Sequence, residues 1–90
     1  MATAIVLLNV EAQNTQKIAE TVAAIQGVSE VYSVAGTFDL VAIIRVSKNE
    51  ELAEIVTERI RGVPGIRGSQ TLIAFRAFSD YDLASMFDLD

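Results

Sequence analysis

The amino-acid sequence predicts an α+β fold of order β-α-β-β-α-β: one antiparallel sheet in the strand order 4-1-3-2, with two helices on one face. Three observations predict it. The chain repeats itself at a spacing of 35 residues, since Ile25-Gln26-Gly27-Val28-Ser29-Glu30-Val31 reappears as Ile60-Arg61-Gly62-Val63-Pro64-Gly65-Ile66 and the apolar run 5–10 reappears as 40–45. Each copy reads as strand, helix, glycine stop, strand. The leading strands of the two copies, 5–10 and 40–46, are apolar at positions destined for both faces, which suits the two central strands of a split βαβ sheet.

The first strand is Ile5-Val6-Leu7-Leu8-Asn9-Val10, an apolar and partly β-branched run. Ile18, Val22 and Ile25 then fall at i, i+4 and i+7. That spacing predicts a helix over about 15–26, stopped by Gly27, with Ala19, Ala23 and Ala24 permitting close packing. Residues 28–34 read as the second strand, and the turn at Gly36 leads into the third, so these two form a central hairpin. Ser47-Lys48-Asn49-Glu50 has the form of a capping box. Leu52, Ile55, Val56 and Ile60 make the second helical stripe, with Glu50, Glu51, Glu54 and Glu58 on its solvated side and Gly62 at its end. Pro64-Gly65 is a turn, and 70–78 reads as the last strand. The domain so defined covers 1–78. The tail, 79–90, carries Asp80, Asp82, Asp88 and Asp90 with no base and lies outside the duplication. Ser79 as N-cap with Leu83, Met86 and Phe87 at i, i+3 and i+4 predicts a short helix there.

Composition narrows the function. With seven basic and twelve acidic residues the net charge is -5. This disfavours direct binding of nucleic acid, which needs clustered Lys and Arg. The chain has neither Cys nor His, so thiol nucleophiles, disulfides and the commonest zinc ligands and general bases are excluded, and no cofactor is expected. The start, Met1-Ala2-Thr3-Ala4, has no charged segment, and the apolar run ends at Val10, too short to cross a bilayer. A cytoplasmic protein without a membrane partner is expected. An apolar fraction of 51% in 90 residues exceeds what so short a chain buries alone. Because the helices cover only one face of the sheet, the other is expected to meet a second copy.

The densest candidate site is Gly36-Thr37-Phe38-Asp39. Glycine admits a ligand to the backbone, free N–H groups at a turn suit a carboxylate, and the Asp39 carboxylate suits an ammonium, so together they fit a free amino acid. The same residues equally make an ordinary hairpin in which Asp39 caps the turn. Ser69 and Thr71, early in the last strand, could offer hydroxyls to a ligand from a neighbouring subunit, or could be polar edge residues facing water. Arg45, Arg67 and Arg76 could meet a ligand carboxylate or a facing subunit, or be solvated. Tyr32 reads as a cross-strand packing residue.

The block 31–40, Val-Tyr-Ser-Val-Ala-Gly-Thr-Phe-Asp-Leu, followed by an apolar strand, a Glu-rich helix, Ile60-Arg61-Gly62-Val63-Pro64-Gly65-Ile66 and a final strand bearing Ser and Thr, resembles the effector domain of the Lrp/AsnC transcription regulators, the RAM domain. The resemblance runs from about residue 4 to 78, and its strongest part is the V-x-x-V-x-G-x-aromatic-D block. It implies a ferredoxin-like αβ sandwich of the dimeric α-β barrel type, dimers joined through their sheets and assembled into rings, and small-molecule effectors, usually amino acids, held between dimers. Gly36, Phe38 and Asp39 match the effector-loop motif, Thr37 lies within it, and Ser69 and Thr71 fall where the last strand gives polar contacts. Carried over, Asp39 would meet the ligand amine. The family's regulators carry an N-terminal helix-turn-helix, whereas here the first effector-domain strand begins at Ala4. The expectation is therefore a stand-alone, non-catalytic amino-acid-binding module of transcriptional regulation, acting by its own assembly or through a full-length Lrp/AsnC regulator, without binding DNA directly. Two rivals share the fold: a cofactor-independent monooxygenase or isomerase, and an ACT-like or structural oligomeric module.

Overall fold

The computed structural model describes residues 1–80. Strand β1 (Ala2–Val10) leads through a single 3₁₀ turn (Ala12–Asn14) into helix α1 (Thr15–Ala23). Strands β2 (Val28–Ser33) and β3 (Leu40–Val46) form the hairpin, helix α2 (Asn49–Glu54) continues as a π-helical stretch (Ile55–Ile60), and strand β4 is Ile66–Ala74. All pairings are antiparallel and the order is β2-β3-β1-β4, the expected topology read from the other edge.

Alternation builds the core. In β1 the even positions Ala4, Val6, Leu8 and Val10 are buried, and in β3 so are Leu40, Ala42 and Ile44. They meet Ile18 and Val22 of α1, and Leu52, Ile55 and Ile60 of the second helix. The odd positions, Ile5 and Leu7 with Val41 and Ile43, point to the helix-free face, joined there by Leu72 of β4 opposite Ile5. That open face is as apolar at its centre as a core face.

The duplication is not a constant spacing in three dimensions. Strand side chains alternate, so the odd spacing of 35 would lay Ile5, on the open face, over Leu40, on the helix face. The backbone shows the true correspondence: Glu11 N–H donates to Gly65 O (2.9 Å) and Arg45 N–H to Gly27 O (3.0 Å). Gly27 and Gly65 are therefore counterparts, both at positive φ (101° and 92°). Each lies under an isoleucine of the opposite helix, since a Cβ on Gly27 would stand 2.5 Å from Ile55 Cδ1 and one on Gly65 2.6 Å from Ile18 Cδ1. The helix ends do keep the sequence spacing, as Val28 N–H donates to Ile25 O and Val63 N–H to Ile60 O, both at 3.0 Å.

Boundaries moved where local chemistry competed. The N-cap of α2 is Lys48, not Ser47, and it is the Glu51 carboxylate that accepts the Lys48 N–H, at 3.0 Å. The last strand begins at Ile66, directly after the Gly65 turn, and ends at Ala74, not at Phe78. α1 closes earlier than the apolar periodicity suggests, with Ala24 N–H bonded to Glu20 O. The short helix expected over 79–90 lies outside the described residues apart from its first two positions.

Candidate functional site

β1 occupies the middle of the candidate site. Its Leu8 is paired with Leu40 on one side and Ser69 on the other, so the hairpin segment 36–39 and the start of β4 flank the same end of the sheet. Across β1 they are two strand spacings apart, about 10 Å. Thr71 sits two residue pairs further along, opposite Val6. Ser69 and Thr71 therefore share the helix-bearing side with Leu8 and Val6, at the edge of the sheet; Gln70 and Leu72 are the β4 residues on the open face. Gly36 and Thr37 are exposed, and Phe38 and Asp39 half-buried. A Cβ on Gly36 would meet nothing within 4 Å, so space above the turn is open.

Asp39 has a partner within its own protomer. Val10 N–H donates to Asp39 Oδ2 at 2.9 Å. The main chain of Asp39 extends the ladder on both sides: its N–H donates to Leu8 O (2.9 Å) and its O accepts from Val34 N–H (3.0 Å). The need for this carboxylate is local. The regular pairing of β1 with β3 ends at Leu8 and Leu40, so β3 offers the next inward-facing group, the Val10 N–H, no ladder acceptor, and Val10 is buried. An acceptor for its N–H is worth having. The arrangement pins the hairpin to β1 and leaves Asp39 Oδ1 as the carboxylate oxygen for a further partner.

The open face carries a polar cluster that sequence reasoning did not assemble. Arg45 Nη1 donates to Glu30 Oε1 (2.9 Å), and Tyr32 Oη donates to Glu30 Oε2 (2.8 Å). The Arg45 hydrogen bond, then that of Tyr32, hold the Glu30 carboxyl below its usual value, and the negative Glu30 pushes the Tyr32 phenol up. Glu30 reaches this place because β2 shifts register between Val28 and Glu30, setting Glu30 opposite Ile43. Nothing in the residue spacing announces that bulge. Elsewhere a cleft of about 460 Å³ opens over Gly27, Val46 and Ile55, rimmed by Arg45, Glu51, Glu54 and Arg59. A smaller one of about 180 Å³ lies over Ile18, Val63 and Gly65, rimmed by Glu11 and Lys17. Each is lined by one of the two glycine–isoleucine pairs, so they are the corresponding hollows of the duplicated units. Among the described residues no cluster of three carboxylates is placed to hold a metal, and no helix is long and apolar enough to cross a membrane.

A four-stranded antiparallel sheet with two helices on one face, and an apolar opposite face that no described element covers, defines a small ferredoxin-like α+β domain. The family model for the Lrp/AsnC ligand binding domain matches residues 3–83, and the chain belongs to that family. An uncharacterised HTH-type transcriptional regulator of Pyrococcus furiosus is 38% identical over 76 residues, covering 81% of this chain and 51% of the relative. The HTH-type transcriptional regulator FL11 of Pyrococcus horikoshii is 30% identical over 77 residues, covering 86% of this chain and 50% of the regulator. The chain thus spans about half the length of these relatives. Among solved structures, a Thermus thermophilus protein superimposes with a TM-score of 0.82 at 42% identity, covering 88% of this chain and 99% of that one. The Neisseria meningitidis transcriptional regulator solved with L-methionine shares the fold at a TM-score of 0.72 and 12% identity, with 94% of this chain and 58% of that chain covered.

Proposed function

We propose that this chain is an amino-acid-sensing module of transcriptional regulation, which binds its effector at the end of the sheet where Gly36, Thr37, Phe38 and Asp39 face Ser69 and Thr71 across β1. Its membership of the Lrp/AsnC ligand binding domain family carries the reading. The open Gly36 backbone and the second oxygen of Asp39 support it at residue level. Two fold neighbours have L-methionine bound, the N. meningitidis regulator and a feast or famine regulatory protein of Mycobacterium tuberculosis, which puts methionine first among the ligands to try. In this reading two copies join through their open sheet faces and the dimers assemble into a ring, with the effector shared between dimers. A shared ligand favours one assembly over another by its differential affinity, and so changes the surface offered to a partner such as a full-length Lrp/AsnC regulator. The module is cytoplasmic, contacts no DNA itself and catalyses nothing.

A thermal-shift screen against the twenty amino acids tests it. A ligand specific to the folded assembly stabilises it by about 2.7 kcal/mol at a hundredfold excess over Kd. Methionine or a related apolar amino acid is expected to raise Tm. No shift with any amino acid would leave Asp39 as the residue that pins the hairpin to Val10 and favour a structural oligomeric module instead.

A further inference from the structure

The two hollows of the duplicated units differ in size and in the helix that borders them. The smaller, about 180 Å³, is bordered by Lys17, Ile18 and Thr21 of the regular helix α1. The larger, about 460 Å³, is bordered by Glu51 and Glu54 of α2 and by Ile55 and Arg59 of the π-helical stretch. Pockets for small molecules run from about 300 to 1,000 Å³, a range that includes only the larger hollow.

The π-helical stretch decides which side chains form the rim. After Glu51, Glu54 and Ile55, a continuous α-helix would bring Glu58 to the same face, at i+7, i+4 and i+3. The rim would then hold three carboxylates. The stretch is wound wider, with Arg61 N–H reaching back five residues to Val56 O (3.4 Å), and Arg59 takes the place instead. Residues five apart lie about 140° apart around an α-helix. Here Arg59 Nη2 nevertheless donates to Glu54 Oε2 at 3.3 Å. Stability does not account for this pair, because its side chains are 51% and 55% exposed and water screens them. Short π-helical runs recur at functional sites, and the product of this one is a guanidinium beside a carboxylate over a floor of Val46 and Ile55.

We propose that the larger hollow binds a compact zwitterion, an α-amino acid, whose carboxylate meets Arg59, whose ammonium meets Glu54 and whose side chain lies on Val46 and Ile55. An α-amino acid carries both charges on one carbon, which matches two heads 3.3 Å apart. The ligand exchanges one water-screened pair for charge-assisted hydrogen bonds to both heads. Glu51, held by the Lys48 N–H at its Oε1 (3.0 Å), adds a second negative charge to the rim. This hollow is not the hairpin site: Val46 lies six residues along β3 from Leu40, about 20 Å. All its residues belong to one protomer, so it rests neither on the effector site nor on the dimer proposed above.

Two-dimensional amide spectra recorded while L-methionine is added test it. Saturable shifts are expected at Gly27, Ser47 and Arg59, in wild type and in Asp39→Asn alike. Arg59→Gln, at an exposed position, should weaken the response of Gly27 and Ser47 roughly 10- to 100-fold and keep any response of Gly36 and Thr37. Glu58→Gln should change nothing. N-acetyl-L-methionine, which lacks the ammonium, and L-methioninamide, which lacks the carboxylate, should leave Gly27 and Ser47 unmoved. Shifts at Gly27 and Ser47 that are absent, that survive Arg59→Gln or that also follow the blocked forms overturn the proposal. Shifts that vanish in Asp39→Asn overturn it too, because they are then relayed from the hairpin. A response at Gly27 and Ser47 with none at Gly36 and Thr37 would instead overturn the effector site proposed above and leave this one standing.

Discussion

Asp39 performs two tasks that different substitutions can separate. Its Oδ2 accepts the buried Val10 N–H, and an asparagine keeps an acceptor there while removing the charge. Asp39→Asn is therefore expected to change stability by no more than about 0.5 kcal/mol. The same change should weaken an amino-acid ligand roughly 10- to 150-fold, since a charge-assisted contact to an ammonium contributes about 1.5 to 3 kcal/mol. Asp39→Ala leaves the Val10 N–H without its acceptor and should cost about 1 to 3 kcal/mol in urea denaturation. Calorimetric titration with the best ligand of the thermal screen reads the first difference; equal affinities for wild type and Asp39→Asn would remove the ligand role. The glycine-aspartate block was legible in the sequence as a turn, and the proposed effector site is built on it. Its bond to Val10 was not legible, because that bond depends on where the pairing of β1 with β3 ends, between strands 29 positions apart. Glu30 and Tyr32 give a second prediction. Glu30 is held below its ordinary 4.5, so this pairing adds stability above the unfolded value and loses it as pH falls through the folded one. Tyr32 is pushed above 10.0, so its hydrogen bond adds stability below that value and loses it as pH rises through the folded pKa. In a Tyr81→Phe background, phenolate absorbance should show Tyr32 titrating above 10.0, and Glu30→Gln should bring it down; an unmoved midpoint would dissolve the cluster.

At the scale of elements, helices were easier to read than their ends. Ile18, Val22, Leu52, Ile55 and Ile60 all fall on the buried stripe that a period of 3.6 picks out. The N-cap moved by one residue because Glu51, not Glu50, points its carboxylate back at the Lys48 N–H. Glu51→Ala is expected to cost about 0.5 to 1 kcal/mol, and Glu50→Ala no more than about 0.5 kcal/mol, in matched chemical denaturation. The reverse order would restore the Ser47 to Glu50 box. The repeat misled about phase for a related reason. Helix ends tolerate an odd spacing, whereas strands admit only even ones if their buried faces are to coincide. The extra residues in the second copy sit in the Pro64-Gly65 turn, so Gly65 replaces Gly62 as the counterpart of Gly27. Gly27→Ala must tolerate a φ of 101° and a methyl 2.5 Å from Ile55 Cδ1. A loss of about 1 to 3 kcal/mol is expected. A Tm equal to wild type would show that neither the backbone nor the Ile55 contact constrains this position.

The whole molecule is set by an imbalance between faces. Both helices lie against Ala4, Val6, Leu8, Leu40, Ala42 and Ile44, and no described element covers Ile5, Leu7, Val41, Ile43 and Leu72. A patch of that kind on a small domain marks an interface. The apolar open face was legible in advance because both central strands are apolar on both faces over 4–8 and 40–44, a pattern that a sheet buried on both sides requires. The chain is therefore expected to be at least dimeric by light scattering at micromolar concentration. Ile43→Asp, at the centre of the open face, tests which face is used. A carboxylate there is solvated in a free protomer but would be buried unpaired in a sheet-to-sheet dimer, a cost of several kcal/mol that shifts the equilibrium to the 9.7 kDa protomer. Glu58→Gln, on the exposed side of the second helix, should leave the mass unchanged. Because Ile43 lies off the helix side of the sheet, the Ile43→Asp protomer should keep wild-type far-ultraviolet circular dichroism. A dimer that survives Ile43→Asp but separates on a helix-face substitution would place the interface on the helices, and the shared effector site at the hairpin end would have to be abandoned with it.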